Sequence, residues 1–354
     1  MFKIFKPKSK LGIDIGTASI KIVELERKSG RFVLNNYGVF ELNGEKDNNN
    51  SPALGQSILK LPDEEIIVGI KEVLKKAGIG TRQAIASIPS FSTFSTVIEI
   101  PYVSDQDLNK VLQFEAKKYI PLPLDEVILD WSIISRPQGP KSPNQNVEIF
   151  LAAVHKNETE RYRKIMINAG LELVALDLEN SALIRSLLGN DLNPTAIINI
   201  GGRSTSIVIA DRGFERIGHN YEIGGFEITK SIAKSLKVGL EKAEELKKRF
   251  GLKKSGENIV NESMISLIDM MVFETKKTIT NYETSKNKKI ERVFMVGGLT
   301  SMPEFVNYFK EKLGREVYFG NALSRVIYPG ALNQISKDLS STLAIALGLA
   351  MREM

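Results

Sequence analysis

The residues best suited to chemistry come in two matched groups. Asp14 closes an apolar run and is followed by glycine and small hydroxyl residues, in Leu11-Gly-Ile-Asp-Ile-Gly-Thr-Ala-Ser-Ile-Lys-Ile-Val. About half a chain later, Ile197-Ile-Asn-Ile-Gly-Gly-Arg-Ser-Thr-Ser-Ile-Val-Ile repeats the phrase. Each copy reads as a β-hairpin: an apolar strand, a turn of small residues, and an alternating strand. Gly16 and Gly201 let the backbone approach a ligand closely, and neighbouring N–H groups suit phosphate oxygens. Thr17, Ser19, Ser204 and Thr205 add hydroxyl donors at the two tips. A carboxylate placed like Asp14 suits a hydrated Mg2+, which takes one or two carboxylates and keeps several waters. Either phrase alone is equally an ordinary hairpin. Two in register argue for a duplicated ligand grip.

Composition limits the remaining possibilities. At 354 residues, with 42% hydrophobic and 25% charged residues, the chain has the makeup of a soluble globular protein of at least two domains. The net charge of +6 comes from lysines scattered over helices, and a scattered excess gives no nucleic-acid footprint. The absence of cysteine excludes disulfides and thiolate metal sites, and the two histidines, His155 and His219, are too few for an ordinary zinc site. No apolar run reaches the roughly 20 residues of a membrane-spanning helix, and the N-terminus lacks a signal-peptide core. A cytoplasmic protein is expected. The opening Met1 to Lys10 mixes apolar and basic residues and reads as a solvated tail, with a weak membrane-surface contact as the alternative.

The elements that must position these groups follow from the pattern. A third strand over 31–40 completes the first meander, a polar loop covers Gly44 to Pro52, and a helix over 62–76 ends at Gly78. A strand is expected at 83–88, and residues 84–157 read as a compact α+β segment. There Ser104-Asp-Gln-Asp107 caps a helix whose apolar stripe runs from Leu108 to Ile120, and the prolines of Ile120-Pro-Leu-Pro-Leu124 end it. Strands at 127–134 and 147–154 flank a Pro- and Gly-rich loop from Arg136 to Asn146. Helix, strand and helix follow at 157–169, 171–176 and 180–188, with Glu179 at the start of the last. The second meander covers 195–218. Gly224-Gly225 precedes a helix, and further helices are expected at 240–250, 263–285, 303–313 and 341–351. The strand at 292–296 runs into Gly297-Gly298.

In this order, the two hairpins, the third glycine pair and the closing small-residue helix resemble the actin and sugar-kinase ATPase superfamily over essentially the whole chain. The resemblance implies an α/β actin-like fold of two duplicated RNase H-like halves, residues 1–83 with 158–190 and residues 191–354. The second half would carry a helical subdomain at about 226–290. Residues 84–157 would be an inserted subdomain of the FtsA type. It also implies ATP or ADP with Mg2+ in a cleft between the halves. Asp14, Gly16, Thr17, Ala18, Ser19 and Lys21 would grip the phosphates from one side, and Asn199, Gly201, Gly202, Ser204 and Thr205 from the other. Asp14 would hold the metal through water. Gly297, Gly298 and Leu299 would lie against the adenosine, and Glu244 and Lys247 would hold the nucleoside, although as plain helix surface that pair is only a weak ion pair. Glu179 would sit near the attacking water. Asn199 stands where many relatives carry a second Asp, which implies at most slow turnover.

Phe114-Glu-Ala-Lys-Lys-Tyr-Ile-Pro-Leu-Pro-Leu-Asp-Glu-Val-Ile-Leu-Asp-Trp131 resembles the hallmark segment of the PilM family of type IV pilus assembly. FtsA carries a linker and an amphipathic membrane-targeting helix after its core. Here Arg352-Glu-Met354 directly follows the last core helix, which favours the PilM resemblance. What that implies is a scaffold whose partner is the N-terminal cytoplasmic tail of a PilN-like bitopic membrane protein, with membrane association through that partner and other pilus components alongside. The closure set by ATP would govern how the tail is held. Leu108, Leu112, Tyr119, Ile120 and Leu122 are the expected groove walls. An FtsA-like filament-forming division tether and a small-molecule kinase are the alternative functions, and self-association stays open.

Overall fold

The computed structural model describes residues 9–42, 62–136, 145–253 and 258–353. The expectations for the opening tail through Lys8, for the loop at 44–52 and for the loop tip at 137–144 lie outside the described residues. The chain opens with a meander of β1 (Lys10–Ile15), β2 (Ser19–Lys28) and β3 (Arg31–Glu41). Ser29 and Gly30 at the β2–β3 turn both have positive φ, 49° and 81°. A two-residue hairpin of the twist-compatible type needs this at both positions. Helix α1 (Asp63–Lys76) starts with Asp63, Glu64 and Glu65 and ends with Lys75 and Lys76, each sign facing the dipole end it stabilises. Then β4 (Gln83–Ile88) runs parallel to β1.

The inserted segment contains β5 (Thr93–Pro101), α2 (Asp105–Glu115), β6 (Val127–Ser135) and β7 (Asn146–His155). Ser104 caps α2 as expected, its Oγ accepting from the Asp107 N–H at 3.2 Å. The chain returns through α3 (Lys156–Asn168), β8 (Glu172–Leu178) and α4 (Glu179–Leu187). The second meander is β9 (Thr195–Ile200), β10 (Thr205–Asp211) and β11 (Phe214–Tyr221). The helices α5 (Gly225–Leu236), α6 (Leu240–Phe250) and α7 (Asn258–Lys286) follow it. The closing elements are β12 (Arg292–Val296), α8 (Phe305–Leu313), β13 (Val317–Phe319), β14 (Val326–Ile327), α9 (Ser336–Thr342) and α10 (Ala344–Ala350).

Three sheets organise these elements: β14-β3-β2-β1-β4-β8, β11-β10-β9-β12-β13 and β5-β7-β6. The first two share one plan, an antiparallel meander extended by parallel strands. Asp14 lies opposite Lys21 as Asn199 lies opposite Ser206, so the sequence repeat is a repeat in register. One apolar core fills the first half around Ile13, Ile22 and Ile70, and another fills the second around Ile198, Met271 and Phe309. A third, including Val23, Ile197 and Leu347, joins the halves.

Several elements differ from expectation. β5 carries no strong alternation because Thr93, Ser95 and Thr96 interrupt its apolar residues, yet it supplies the third strand of the insert. Residue 84 falls inside β4, which pairs with β1 and β8 in the first sheet, so the insert's own sheet begins at Thr93. The expected helix at 341–351 is broken at Leu343 into α9 and α10. The chain also returns to the first half at its end: β14 pairs in parallel with β3. α10 crosses β1 so closely that a Cβ on Gly12 would lie 1.9 Å from the Ala346 carbonyl oxygen.

Candidate functional site

Each hairpin tip closes with the same hydrogen bond, Gly16 N–H to the Ser19 carbonyl at 3.1 Å and Gly201 N–H to the Ser204 carbonyl at 2.9 Å. These two N–H groups are consumed by the turn, so donors toward an anion must come from the tip residues between. The tips meet: a Cβ on Gly202 would stand 2.3 Å from the Ala18 Cβ. Behind them, the Gly225 and Phe226 N–H groups donate to the Gly201 and Gly202 carbonyls at 3.0 and 2.7 Å. The N-terminus of α5 thereby holds the second tip in place.

Between the tips, α4, α6 and the Gly297-Gly298 turn lies a cleft of about 790 Å³. Its walls include Asp14, Gly16, Thr17, Ala18, Ser19, Lys21, Glu179, Asn199, Gly201, Gly202, Ser204, Glu244, Lys247, Gly297, Gly298 and Leu299. Thr205 is the departure. It pairs with Ile200 as the core residue Ile20 pairs with Ile15, is fully buried, and its hydroxyl donates to the Ile223 carbonyl at 2.7 Å. The strand alternation turns it inward, so it offers nothing to the cleft.

At the base of the cleft Asp14 is 2% exposed and accepts from Lys21 Nζ at 3.0 Å. A carboxylate this buried requires a paired charge, and Lys21 supplies it. Ser87 reinforces the arrangement by accepting from the Ile15 N–H at 3.3 Å while its hydroxyl faces Asp14 Oδ1 at 3.5 Å. Glu179, the first residue of α4, accepts from both the N–H and the hydroxyl of Ser90, at 3.0 and 3.1 Å. Burial in the wall, with the Asp14 charge beside it, pushes its carboxyl up to about 7 even though the Ser90 bonds pull the other way.

The Glu244–Lys247 pair on α6 is not plain helix surface. Lys247 is 6% exposed and donates to the Gly225 carbonyl at 3.0 Å, to Thr229 Oγ1 at 2.8 Å and to Glu244 Oε2 at 2.6 Å. Burial lowers the lysine's pKa, with Glu244 opposing; burial would raise that of Glu244, but Lys247 outweighs it and holds the carboxyl below its usual range. Gly297, with φ of 100°, is required as glycine because a Cβ would lie 2.0 Å from the Ile200 carbonyl oxygen. Its N–H donates to Ser341 Oγ at 2.9 Å. Ser90, Thr229 and Ser341 complete the site and carry no local sequence signal, since the partners that tie them to it, Glu179, Glu244 with Lys247, and Gly297, lie at least 15 residues away.

The expected peptide-groove residues divide differently. Leu108, Leu112 and Ile120 are buried in the insert's own core with Ile149 and Leu151, because the α2 stripe faces the three-stranded sheet. Tyr119 is exposed and Leu122 half-buried. A second groove, of about 500 Å³, lies elsewhere: Ile128 and Asp130 of β6 form one wall and Leu176 and Leu178 of β8 another, with Arg185 and Phe214 also lining it. Both β6 and β8 end their sheets.

Two duplicated α/β halves closing on a glycine-gripped cleft define a protein of the actin-like fold. Residues 12–354 match the family described as type IV pilus assembly protein PilM, and the chain belongs to that family. A solved structure described as a PilM-PilN type IV pilus biogenesis complex superposes with a TM-score of 0.80 at 21% identity, over 98% of this chain and 99% of that one. MreB5 of Spiroplasma citri bound to AMPPNP gives 0.51 at 14% identity, over 97% and 95%. Cell division protein FtsA of Enterococcus faecalis is 24% identical over 382 residues, spanning 92% of this chain and 84% of that protein.

Proposed function

We propose that the chain is a nucleotide-binding scaffold of type IV pilus assembly that takes ATP or ADP with Mg2+ in the cleft. In the groove between β6 and β8 it would hold the N-terminal cytoplasmic tail of a PilN-like inner-membrane protein. The observation that carries the nucleotide reading is the pair of in-register hairpin tips touching at Ala18 and Gly202 above the Asp14–Lys21 pair. In this reading the tip hydroxyls and N–H groups take the phosphates, Lys21 turns from Asp14 to a phosphate, and Glu244 with Lys247 holds the ribose. Among the described residues no group of three or more metal-ligating side chains occurs. A divalent ion would then be held in the manner of Mg2+, by Asp14 through water and by the phosphates. Asn199 brings no second charge and Glu179 is tied twice to Ser90, so turnover is slow at most. MreB5 with its bound AMPPNP supports the cleft reading by fold.

The groove reading rests on two sheet-ending strands lining one channel, which suits an extended peptide that adds to a sheet edge. The PilM-PilN complex supports the choice of a PilN-like partner. Among the described residues no helix is long and apolar enough to cross a membrane, and attachment through the tail would place the protein at the inner-membrane surface. Calorimetry tests the cleft: Mg-ATP should bind the intact chain. Asp14→Ala should weaken it at least about tenfold, a cost of about 1.4 kcal/mol, and remove the dependence on Mg2+. Equal binding by both proteins would refute the assigned role of Asp14.

A further inference from the structure

The insert is covalently part of the first half, yet it is fastened to the second. On β7, Glu148 accepts from both terminal nitrogens of Arg216 on β11, the Nη2 contact at 3.3 Å, and from Arg212 in the β10–β11 turn at 3.3 Å. Arg216 is buried, with only 5% of its side chain exposed, and its Nε donates to the Asp211 carbonyl at 3.1 Å. Asp211 is itself held by Tyr282 of α7 at 2.8 Å and by Lys288 at 2.7 Å. Burial would raise the Glu148 carboxyl, but the two arginines outweigh it and hold it below its usual range. Two residues along β7, Phe150 packs on Phe214 with ring centroids 5.9 Å apart.

These contacts make all three parts of the molecule border the second groove. Ile128 and Phe150 come from the insert, Leu178 and Arg185 from the first half, and Phe214 from the second. The chain enters the insert through Pro89 to Ser92, where Glu179 of the cleft wall holds Ser90. The chain leaves the insert where β7 runs straight into α3 at His155 and Lys156, so rotation of the second half against the first must either carry the insert about these two connections or break the Glu148 clamp. Arg216 is the buried partner, and separating it from Glu148 would strand its charge, which favours carrying the insert.

The geometry points to a mechanical linkage in which the Glu148–Arg216 clamp makes the insert follow the second half, so that nucleotide in the cleft changes the width of the peptide groove. The linkage rests on the reading of the cleft as a nucleotide site and of the groove as a peptide site. Such coupling requires the occupant of each site to favour one closure over another.

The chain has no cysteine, which allows spin labels at chosen exposed sites: Lys117→Cys on the insert, Lys75→Cys on the first half and Lys289→Cys on the second. Paired distances are measured with and without Mg-AMPPNP, and binding is confirmed by calorimetry on the same samples. The expected result is a constant distance from insert to second half and a changed distance from insert to first half. In Glu148→Gln the pattern should exchange, the insert staying with the first half. A synthetic PilN-like tail peptide should bind the two nucleotide states with affinities differing about fivefold or more. Nucleotide binding with neither distance altered overturns the linkage and leaves the cleft reading standing. A failure of nucleotide to bind overturns both. The wild-type distances decide the matter even if the variant does not fold.

Discussion

Glu215 on β11 is 5% exposed and accepts from Asn180 Nδ2 at 3.0 Å. Burial pushes its carboxyl up to about 7 from a reference of 4.5, with Asn180 and Ser95 only partly opposing. The folded state keeps a proton that the unfolded chain has released, so stability from this group is full below about pH 4.5 and is lost as pH rises through 7. Glu215→Gln should therefore stabilise the protein at pH 8, by about 1–3 kcal/mol, with the gain vanishing toward pH 4. Urea unfolding at both pH values checks this. Glu179 shifts the same way, but it borders the open cleft and its share is smaller. The place of Asp14 and the tip glycines at the cleft was legible in the sequence because the phrase occurs twice in the same register. Thr205 was misread because composition shows a hydroxyl while only strand register shows which way it points. Ser90 was unreadable, since its partner Glu179 is nearly ninety residues away.

At the scale of elements, glycine is required where α10 meets its neighbours backbone to backbone. A Cβ on Gly12 of β1 would meet the Ala346 carbonyl oxygen at 1.9 Å, and one on Gly348 would meet the Ala182 carbonyl oxygen of α4 at 1.9 Å. Backbone, unlike a side-chain tip, has no alternative rotamer to move into. Gly12→Ala and Gly348→Ala should each destabilise by about 1–3 kcal/mol, read as a lower urea midpoint with an unchanged slope. The meanders and α1 through α8 were largely legible because their periodicity is strong. β13 and β14 were not, being three and two residues long; a pattern needs more turns of its period than that. β5 was missed because polar residues break its alternation, and its place in the sheet depends on β7.

At the scale of the whole molecule, the duplication was legible but the crossing of its last segment was not. A sequence repeat suggests that each half ends where its copy ends. Instead the chain after β13 returns to the first sheet through β14 and lays α10 between the halves, in the core shared by Val23, Ile197 and Leu347. Ile345, Leu347, Leu349 and Met351 are all buried there. At about 1.5–3 kcal/mol for each such side chain, their removal amounts to roughly 6–12 kcal/mol, the scale of a domain's entire net stability of about 5–15 kcal/mol. Truncation after Thr342 should thus abolish cooperative folding of both halves rather than fray one end. Leu347→Ala alone should cost about 2–5 kcal/mol. Thermal melts followed by circular dichroism, with limited proteolysis of each half, separate the outcomes. A truncated chain that kept a wild-type transition would mean that the halves are stable without the segment joining them, and closure of the cleft would then have to be transmitted through the insert and its Glu148 clamp alone.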